Sequence, residues 1–487
     1  MPNRRDLLAL AGGLAAGLAA SPLLLPARSV AAALPAPALP HGGRVVAVDL
    51  TAAERPFALP AFGGRTLPLW TFSAASPPPV LRLGLGDRLK VTLTNALPRK
   101  GEHVSIHWHG IRLPIAEDGV PYVSQPPVEP GQSFTYDFAP PDTGTFFFHT
   151  HCNTAEQLGR GLSGVLIVDG DEVLPFDAER ILVMRDWRID VARGMFLPFY
   201  TDQGAGGSGS FGPLRTVNGE FSPTIAVPPQ ANIRVRLLNI DATRIAEIGL
   251  RHGSGTVIAV DGIAVEPFQL TDWWLGPAMR LDLALRSGAP GSTIELIDNF
   301  AATPVVLARF RAGGKAVNSK VLDRPVLRAG RMPMPDLGSA QRLAFDLAAT
   351  ATGARLVTRD DESSSIVMDS LCLSQQSFWA MNKQSWPGGD HARLPPPLMV
   401  LRQGRSYVLE LKNLSQVRHP IHLHGHSFLV LGSNRRALPV HWADTVLVAP
   451  RERVEIAFLA DNPGNWMFHC HLIEHQEAGM MGYLQIQ

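Results

Sequence analysis

The chain has 487 residues, with 44 Lys plus Arg against 43 Asp plus Glu. That length exceeds one hydrophobic core and calls for roughly two to four domains. The near balance of charge excludes the basic footprint of a nucleic-acid binder and the acidic one of a protein that gathers cationic partners. Hydrophobic residues make up 45%, which suits a folded globular protein, and 45 glycines with 41 prolines punctuate the chain into many short strands, an all-β pattern.

Arg4-Arg5-Asp6-Leu7-Leu8 opens the chain, an apolar run from Leu7 to Leu25 follows, and Ala31-Ala32-Ala33 offers a small-x-small cleavage site. This resembles a Tat signal peptide over 1–33, removed on export. The run is rich in Gly and Ala, which argues against an uncleaved anchor, and no later apolar stretch is long enough to span a bilayer. The expectation is a mature protein in the periplasm or secreted, without a stable membrane anchor and with the Tat export machinery as a partner.

An internal repeat follows. Gly86-Asp87-Arg88-Leu89-Lys90-Val91-Thr92-Leu93-Thr94-Asn95 returns as Gln230 to Asn239 and again as Gly404 to Asn413, each ending in Asn at the same spacing and each alternating like a half-buried strand. Gly144-Thr145-Phe146-Phe147-Phe148-His149-Thr150-His151 matches Gly464-Asn465-Trp466-Met467-Phe468-His469-Cys470-His471, and Pro130-Gly131 matches Pro450-Arg451, each before a strand. Three copies of one β unit, at about 40–170, 171–330 and 331–487, predict three Greek-key sandwiches. The middle unit carries a Gly/Ser-rich loop, Gly204 to Gly212, and Asp361 to Ser365 reads as a further exposed loop. No long amphipathic helix is predicted.

Random scatter of 16 histidines would give about 0.5 His-x-His pairs. The chain has five: His107/His109, His149/His151, His422/His424, His424/His426 and His469/His471. Residues i and i+2 of a strand share a face, so each pair delivers two imidazoles to one place. Imidazole suits copper, zinc, iron and nickel, and a thiolate in the same cluster moves the preference toward copper or zinc. In His469-Cys470-His471 the histidines face one way and the cysteine the other, so one short segment can serve two metal sites. His419, Cys470, His475 and Met480 have the composition of a blue-copper site with a weak axial Met.

These motifs, His107-Trp108-His109-Gly110, His149-Thr150-His151, His419-Pro420-Ile421-His422-Leu423-His424-Gly425, and His469-Cys470-His471 through His475 to Met480, resemble the three-domain multicopper oxidases, the laccases and bacterial cuprous oxidases. The resemblance spans the chain from about residue 45 to its end. It implies three consecutive cupredoxin-like domains and four copper ions. By position, His419, Cys470, His475 and Met480 would hold the type 1 copper, and His107 and His422 the type 2 copper. His109, His149 and His471 would hold one type 3 copper, and His151, His424 and His469 the other. The trinuclear cluster would lie between the first and third domains. Thr150 stands where the third unit has Cys470, so the first unit lacks a thiolate, and the middle unit has no His pair and reads as a spacer that can shape the donor's approach.

The implied reaction takes single electrons from a small-molecule reductant, a phenol, an aromatic amine or Cu(I), docked at the edge of His475, and passes them through Cys470 to reduce O₂ to water. Asp118 and Asp444 match acids of the family near the trinuclear cluster. Several bacterial relatives carry an acid directly after the second type 1 His; here Gln476 stands there, followed by Glu477, and an amide cannot relay protons. Met332-Pro333-Met334, Met368, Met381 and Met399 do not form the Met-rich tract that collects Cu(I) in cuprous oxidases, which tilts the reading toward an organic donor. A cuprous oxidase for copper tolerance is the alternative, and a copper-free assembly protein the reading from another class. His41, His103, His252, His391 and His441 read as surface or satisfied polar residues, and His426 as a neighbour of the ligands. Of the three cysteines, Cys152 and Cys372 are left over from the metal site, and their pairing stays open.

Overall fold

The strand Arg88–Ala96 turns Leu89, Val91 and Leu93 inward and Arg88, Lys90 and Ala96 outward, the alternation that a sheet with one buried face imposes. It belongs to a computed structural model that describes residues 43–74, 78–350, 378–386 and 394–487. Residues 1–33, His41, Asp361 to Ser365, Met368, Cys372 and His391 lie outside the described residues.

Each copy of the Asn-ended repeat is a strand that pairs in parallel with the strand opening its unit. Arg88–Ala96 lies beside Val45–Phe57, Asn232–Asn239 beside Ala178–Trp187, and Ser406–Asn413 beside Gln341–Ala349. Each group forms one sheet of a sandwich, of four, six and six strands in chain order, and a second sheet of four, five and five strands closes it. Three separate apolar cores fill the spaces between the sheets. The architecture is all-β, three consecutive cupredoxin-like sandwiches. Among the described residues the α-helices are short, namely Thr154–Arg160, Asp202–Gly206 and Ile473–Glu477. No helix among the described residues is long and apolar enough to cross a membrane.

The repeated asparagine has the same task three times. Asn95 donates from Nδ2 to the carbonyls of Glu102 and Val128 and accepts from the Leu97 amide. Asn239 donates to Arg244 and Leu275 and accepts from Asp241. Asn413 donates to Val417, Val448 and Ala449 and accepts from Ser415. One side chain thus satisfies the backbone where the strand ends and the chain turns, in a place buried from water.

The middle copy departs from the expected half-buried strand, since every residue of Asn232–Asn239 is buried. Arg234 and Arg236 are not solvent-facing. Arg234 forks to Asp171 and Asp282, and Arg236 reaches Glu179, Asp282 and the Thr145 hydroxyl. The first sandwich covers this face, packing Phe147, Val165 and Ile167 against Val183, Leu238 and Ile240. The third unit lends Leu447 to the middle core. Alternating polar residues therefore marked an interface between units, where paired charges replace solvent.

Candidate metal centre

Two antiparallel strand pairs deliver the histidines. His107–His109 lies against Gly144–His149 with His107 opposite His149, and His419–Leu423 lies against Gly464–Cys470 with His422 opposite His469. The two pairs face each other. The His107 ring stacks on His424 and the His109 ring on His422, each with centroids 3.7 Å apart. All eight of His107, His109, His149, His151, His422, His424, His469 and His471 are buried, from the first and third units alone.

Backbone carbonyls fix the tautomers, because a carbonyl can only accept. His107 Nδ1 donates to Asp118 O (2.9 Å), His149 Nδ1 to Thr150 O (2.8 Å), His422 Nδ1 to Asp444 O (2.8 Å) and His469 Nδ1 to Cys470 O (3.0 Å). His424 Nδ1 faces the Asp118 carboxylate at 3.0 Å. The Nε2 atoms are then lone pairs, and they converge. His424 and His469 bring theirs within 3.0 Å, and that of His149 lies 3.4 Å from the His471 Nε2 atom. His107 Nε2, His422 Nε2 and His109 Nδ1 are buried with no partner. Lone pairs aimed at one another in a dry site repel unless cations lie between them, so the residues fit a metal cluster. His151, His424 and His469 form one ligand-sized triad, and His107, His109 and His149 another. Burial, followed by neighbouring imidazoles, pushes His109, His149, His151, His424, His469 and His471 well below the usual histidine range, which keeps them neutral and able to ligate.

The two acids are placed almost as mirror partners. Asp118 holds His107 with its carbonyl and His424, of the other unit, with its carboxylate. Asp444 holds His422 with its carbonyl and His109, again of the other unit, with its carboxylate at 3.0 Å. Gly110, at φ +83°, lies under this second contact, and a Cβ there would stand 2.3 Å from Asp444 Oδ2.

Sequence reasoning missed who holds Asp444. Arg280, from the middle unit, forks onto it at 2.9 and 2.5 Å, and Asp261, also from the middle unit, accepts from the Asp444, Thr445 and Arg280 amides. Burial would raise the Asp444 carboxyl, but the Arg280 guanidinium outweighs it and holds it well below the usual carboxylate range, while burial and then the Asp444 charge push Asp261 up. The middle unit is therefore more than a spacer. The available signal was an arginine opening the otherwise apolar strand start Arg280-Leu281, too common a pattern to point to a site.

On the other face of the same segment, Cys470 Sγ lies 3.7 Å from both His419 Nδ1 and His475 Nδ1, which are 3.1 Å apart. Their outer nitrogens are tied, His419 Nε2 to the Ser415 hydroxyl (2.9 Å) and His475 Nε2 to the Gly207 carbonyl (2.7 Å). Met480 is buried here, its carbonyl accepting from the Cys470 amide. Burial pushes the Cys470 thiol up, so a metal is what would hold it as thiolate. The His475 imidazole, at whose edge the donor is expected to dock, is fully buried under Gly207 and the Trp379 indole.

Other residues settle into bland roles. His441 is buried and donates to Pro439 O, His103 pairs with Glu129, and His252 is exposed. His426 donates to the His424 carbonyl and packs against Trp466. Cys152 is a buried free thiol. Glu477 accepts from the Ala155 backbone amide, whereas the side-chain carboxamide of Gln476 is buried without a partner.

Residues 60–173 and 371–487 match two multicopper oxidase family models. A multicopper oxidase of Mycobacterium tuberculosis is 29% identical over 98% of this chain and 95% of its own length, and a laccase of Cryphonectria parasitica is 26% identical over 82% and 75%. Among solved structures, a multicopper oxidase of Pseudomonas thermotolerans superposes with a TM-score of 0.80 at 35% identity, covering 92% of this chain and 100% of that one. One of Pseudomonas parafulva gives 0.74 at 36%, covering 90% and 99%. With its two metal-binding faces joined at Cys470, the chain belongs to the multicopper oxidase family, oxidoreductases that carry type 1, type 2 and paired type 3 coppers, four in all, and use O₂ as acceptor.

Proposed function

We propose that this chain is a laccase-like enzyme that takes single electrons from a phenolic, aromatic amine or Cu(I) donor. His419, Cys470, His475 and Met480 form its type 1 site, and His107 and His422 its type 2 site. His109, His149 and His471 serve one type 3 copper, and His151, His424 and His469 the other. The observation that carries this is the placing of Cys470 between His469 and His471, with the sulfur on one metal-binding face and both imidazoles on the other. Bound copper supplies one-electron redox chemistry and the site for O₂. The chain's own part is to fix ligand direction through the tied imidazole nitrogens, to exclude water from both sites, and to place Asp118 and Asp444 against ligand nitrogens, where they orient the rings.

The three sandwiches support domains at 40–170, 171–330 and 331–487, and the twin-arginine opening supports Tat export of residues beyond 33 to the periplasm or outside the cell. Met381 is buried in the third core and Met334 is exposed on a loop, placements that fit packing and loop roles more than a Cu(I)-collecting surface. The test is O₂ uptake by copper-loaded protein with a phenol and with chelated Cu(I). Uptake with the phenol and no added copper is expected of a laccase. Uptake with Cu(I) alone moves the reading to copper detoxification, and none with either, from fully loaded protein, rejects it.

A further inference from the structure

A cavity of about 400 Å³ opens between the middle and third units, within the range of roughly 300–1,000 Å³ of small-molecule sites. The middle unit supplies the end of the strand Ile263–Gln269 and the strand Trp273–Leu275. The third unit supplies residues 436–439, His441 and the strand Thr445–Val448. That last strand has two faces. Val446 and Val448 turn into the third core with Cys470, and Leu447 turns into the middle core. Thr445 shares the Leu447 face, and its hydroxyl meets His109 Nε2 and His422 Nδ1 at 3.2 Å. The cavity therefore lies on the side of the sheet away from the Cys470 sulfur, and none of the residues lining it is an assigned copper ligand.

The wall chemistry narrows the occupant. Phe268 and His441 meet the Trp273 ring at 5.5 and 5.4 Å between centroids, and Met279 and Leu447 continue an apolar lining that suits an aromatic ring. His441 Nδ1 donates to the Pro439 carbonyl (2.7 Å), which leaves Nε2 as a lone pair. Burial holds this imidazole down at about 4, so near neutral pH it is an uncharged acceptor. Among the described residues the wall has one cation, Arg436, and its guanidinium is spent on the buried Glu452 carboxylate at 2.7 and 3.1 Å. Glu247, which accepts from Trp274 Nε1 (3.0 Å), and the exposed Asp272 add carboxylates. An anion thus meets repulsion without a free cation, whereas a ring bearing a hydroxyl donor finds both apolar contact and an acceptor.

We propose that this cavity is a second small-molecule site, which binds an uncharged phenol with its ring against Trp273 and its hydroxyl donating to His441 Nε2. The site is separate from electron entry at His475, and it stands whether or not the chain oxidises what it binds there.

The test is calorimetric titration of the full, copper-loaded protein without O₂. The probes are 4-cyanophenol, whose cyano group resists one-electron oxidation, and 4-cyanoanisole, the same ring with a methyl in place of the hydroxyl hydrogen. Wild type is compared with His441→Phe and Ala437→Trp. Ala437 is exposed and lines the cavity, so a larger side chain there fills the space without entering a core; it decides the matter if His441→Phe misfolds. Wild type is expected to bind the phenol about tenfold more tightly than the ether, His441→Phe to abolish that difference, and Ala437→Trp to weaken both by about tenfold or more. Equal affinity of wild type for the two probes, no binding of the phenol, or wild-type affinity in Ala437→Trp overturns the proposal. Because binding is read without turnover, its failure leaves the oxidase reading standing, and failure of the oxidase reading leaves the site.

Discussion

Single atoms decide much of this site, and Gly110 shows it most directly. Any side chain there meets Asp444 and Arg280 within 2.5 Å, at a φ that L residues avoid. Gly110→Ala is expected to cost about 2–5 kcal/mol from strain and overpacking together, and to lower copper content; urea unfolding and metal analysis would check both. Cys470→Ser keeps the fold but loses the thiolate, so the blue absorbance should vanish and donor oxidation fall by more than the roughly hundredfold seen for loss of outer-shell partners; spectra and O₂ uptake report this. A gentler case is Gln230, which holds the left-handed turn (φ 52°) that Gly86 and Gly404 hold in the other copies. Gln230→Gly should stabilise by about 0.5 kcal/mol, relief of strain outweighing the added entropy of the unfolded chain, measurable as a raised denaturant midpoint.

Strands and loops set where those atoms stand. The strand Gly464–Cys470 is buried from Trp466 onward, and its two-residue period puts the sulfur and the imidazoles on opposite faces. The strand Arg280–Arg286 has a comparable role from the middle unit, since its first residue reaches into the cluster's surroundings. Arg280→Met would leave Asp444 buried without its cation and should destabilise by about 3–5 kcal/mol. Arg280→Lys should recover only part of this, because an ammonium cannot fork onto both carboxylate oxygens. Thermal unfolding of the two variants beside Arg280→Met/Asp444→Asn gives the comparison, with the double variant closer to wild type than the single Met variant if the uncompensated charge is the cause.

At the scale of the whole molecule, metal and protons compete for one buried store of imidazoles. The cluster histidines have folded-state values below 6.5, caused first by burial. A depressed histidine contributes stability that is present above its unfolded value and is lost as pH falls, because the unfolded chain takes up protons that the folded one refuses. Copper-free protein should therefore lose thermal stability steeply as pH falls below about 6.5. Copper-loaded protein should resist until protons displace the metal. Melting curves across that range, with copper release followed in parallel, test this; a flat profile for the copper-free form would contradict the burial of these groups.

The periodic part of this protein was legible in its sequence: the three β units, their Asn-ended strands, and the histidine and cysteine positions. Strand period and repeat spacing are local, and an i, i+2 pair carries its geometry with it. Three features were not legible there: the grip of the middle unit on the cluster through Arg280 and Asp261, the burial of Arg234 and Arg236, and the closing of a glycine-rich loop over His475. The Arg280–Asp444 and Gly207–His475 contacts join residues 164 and 268 positions apart and depend on how finished sandwiches dock. An arginine on a strand and a glycine in a loop read the same in sequence whether they meet water or a neighbouring unit, and the packing of the three units chose between the two.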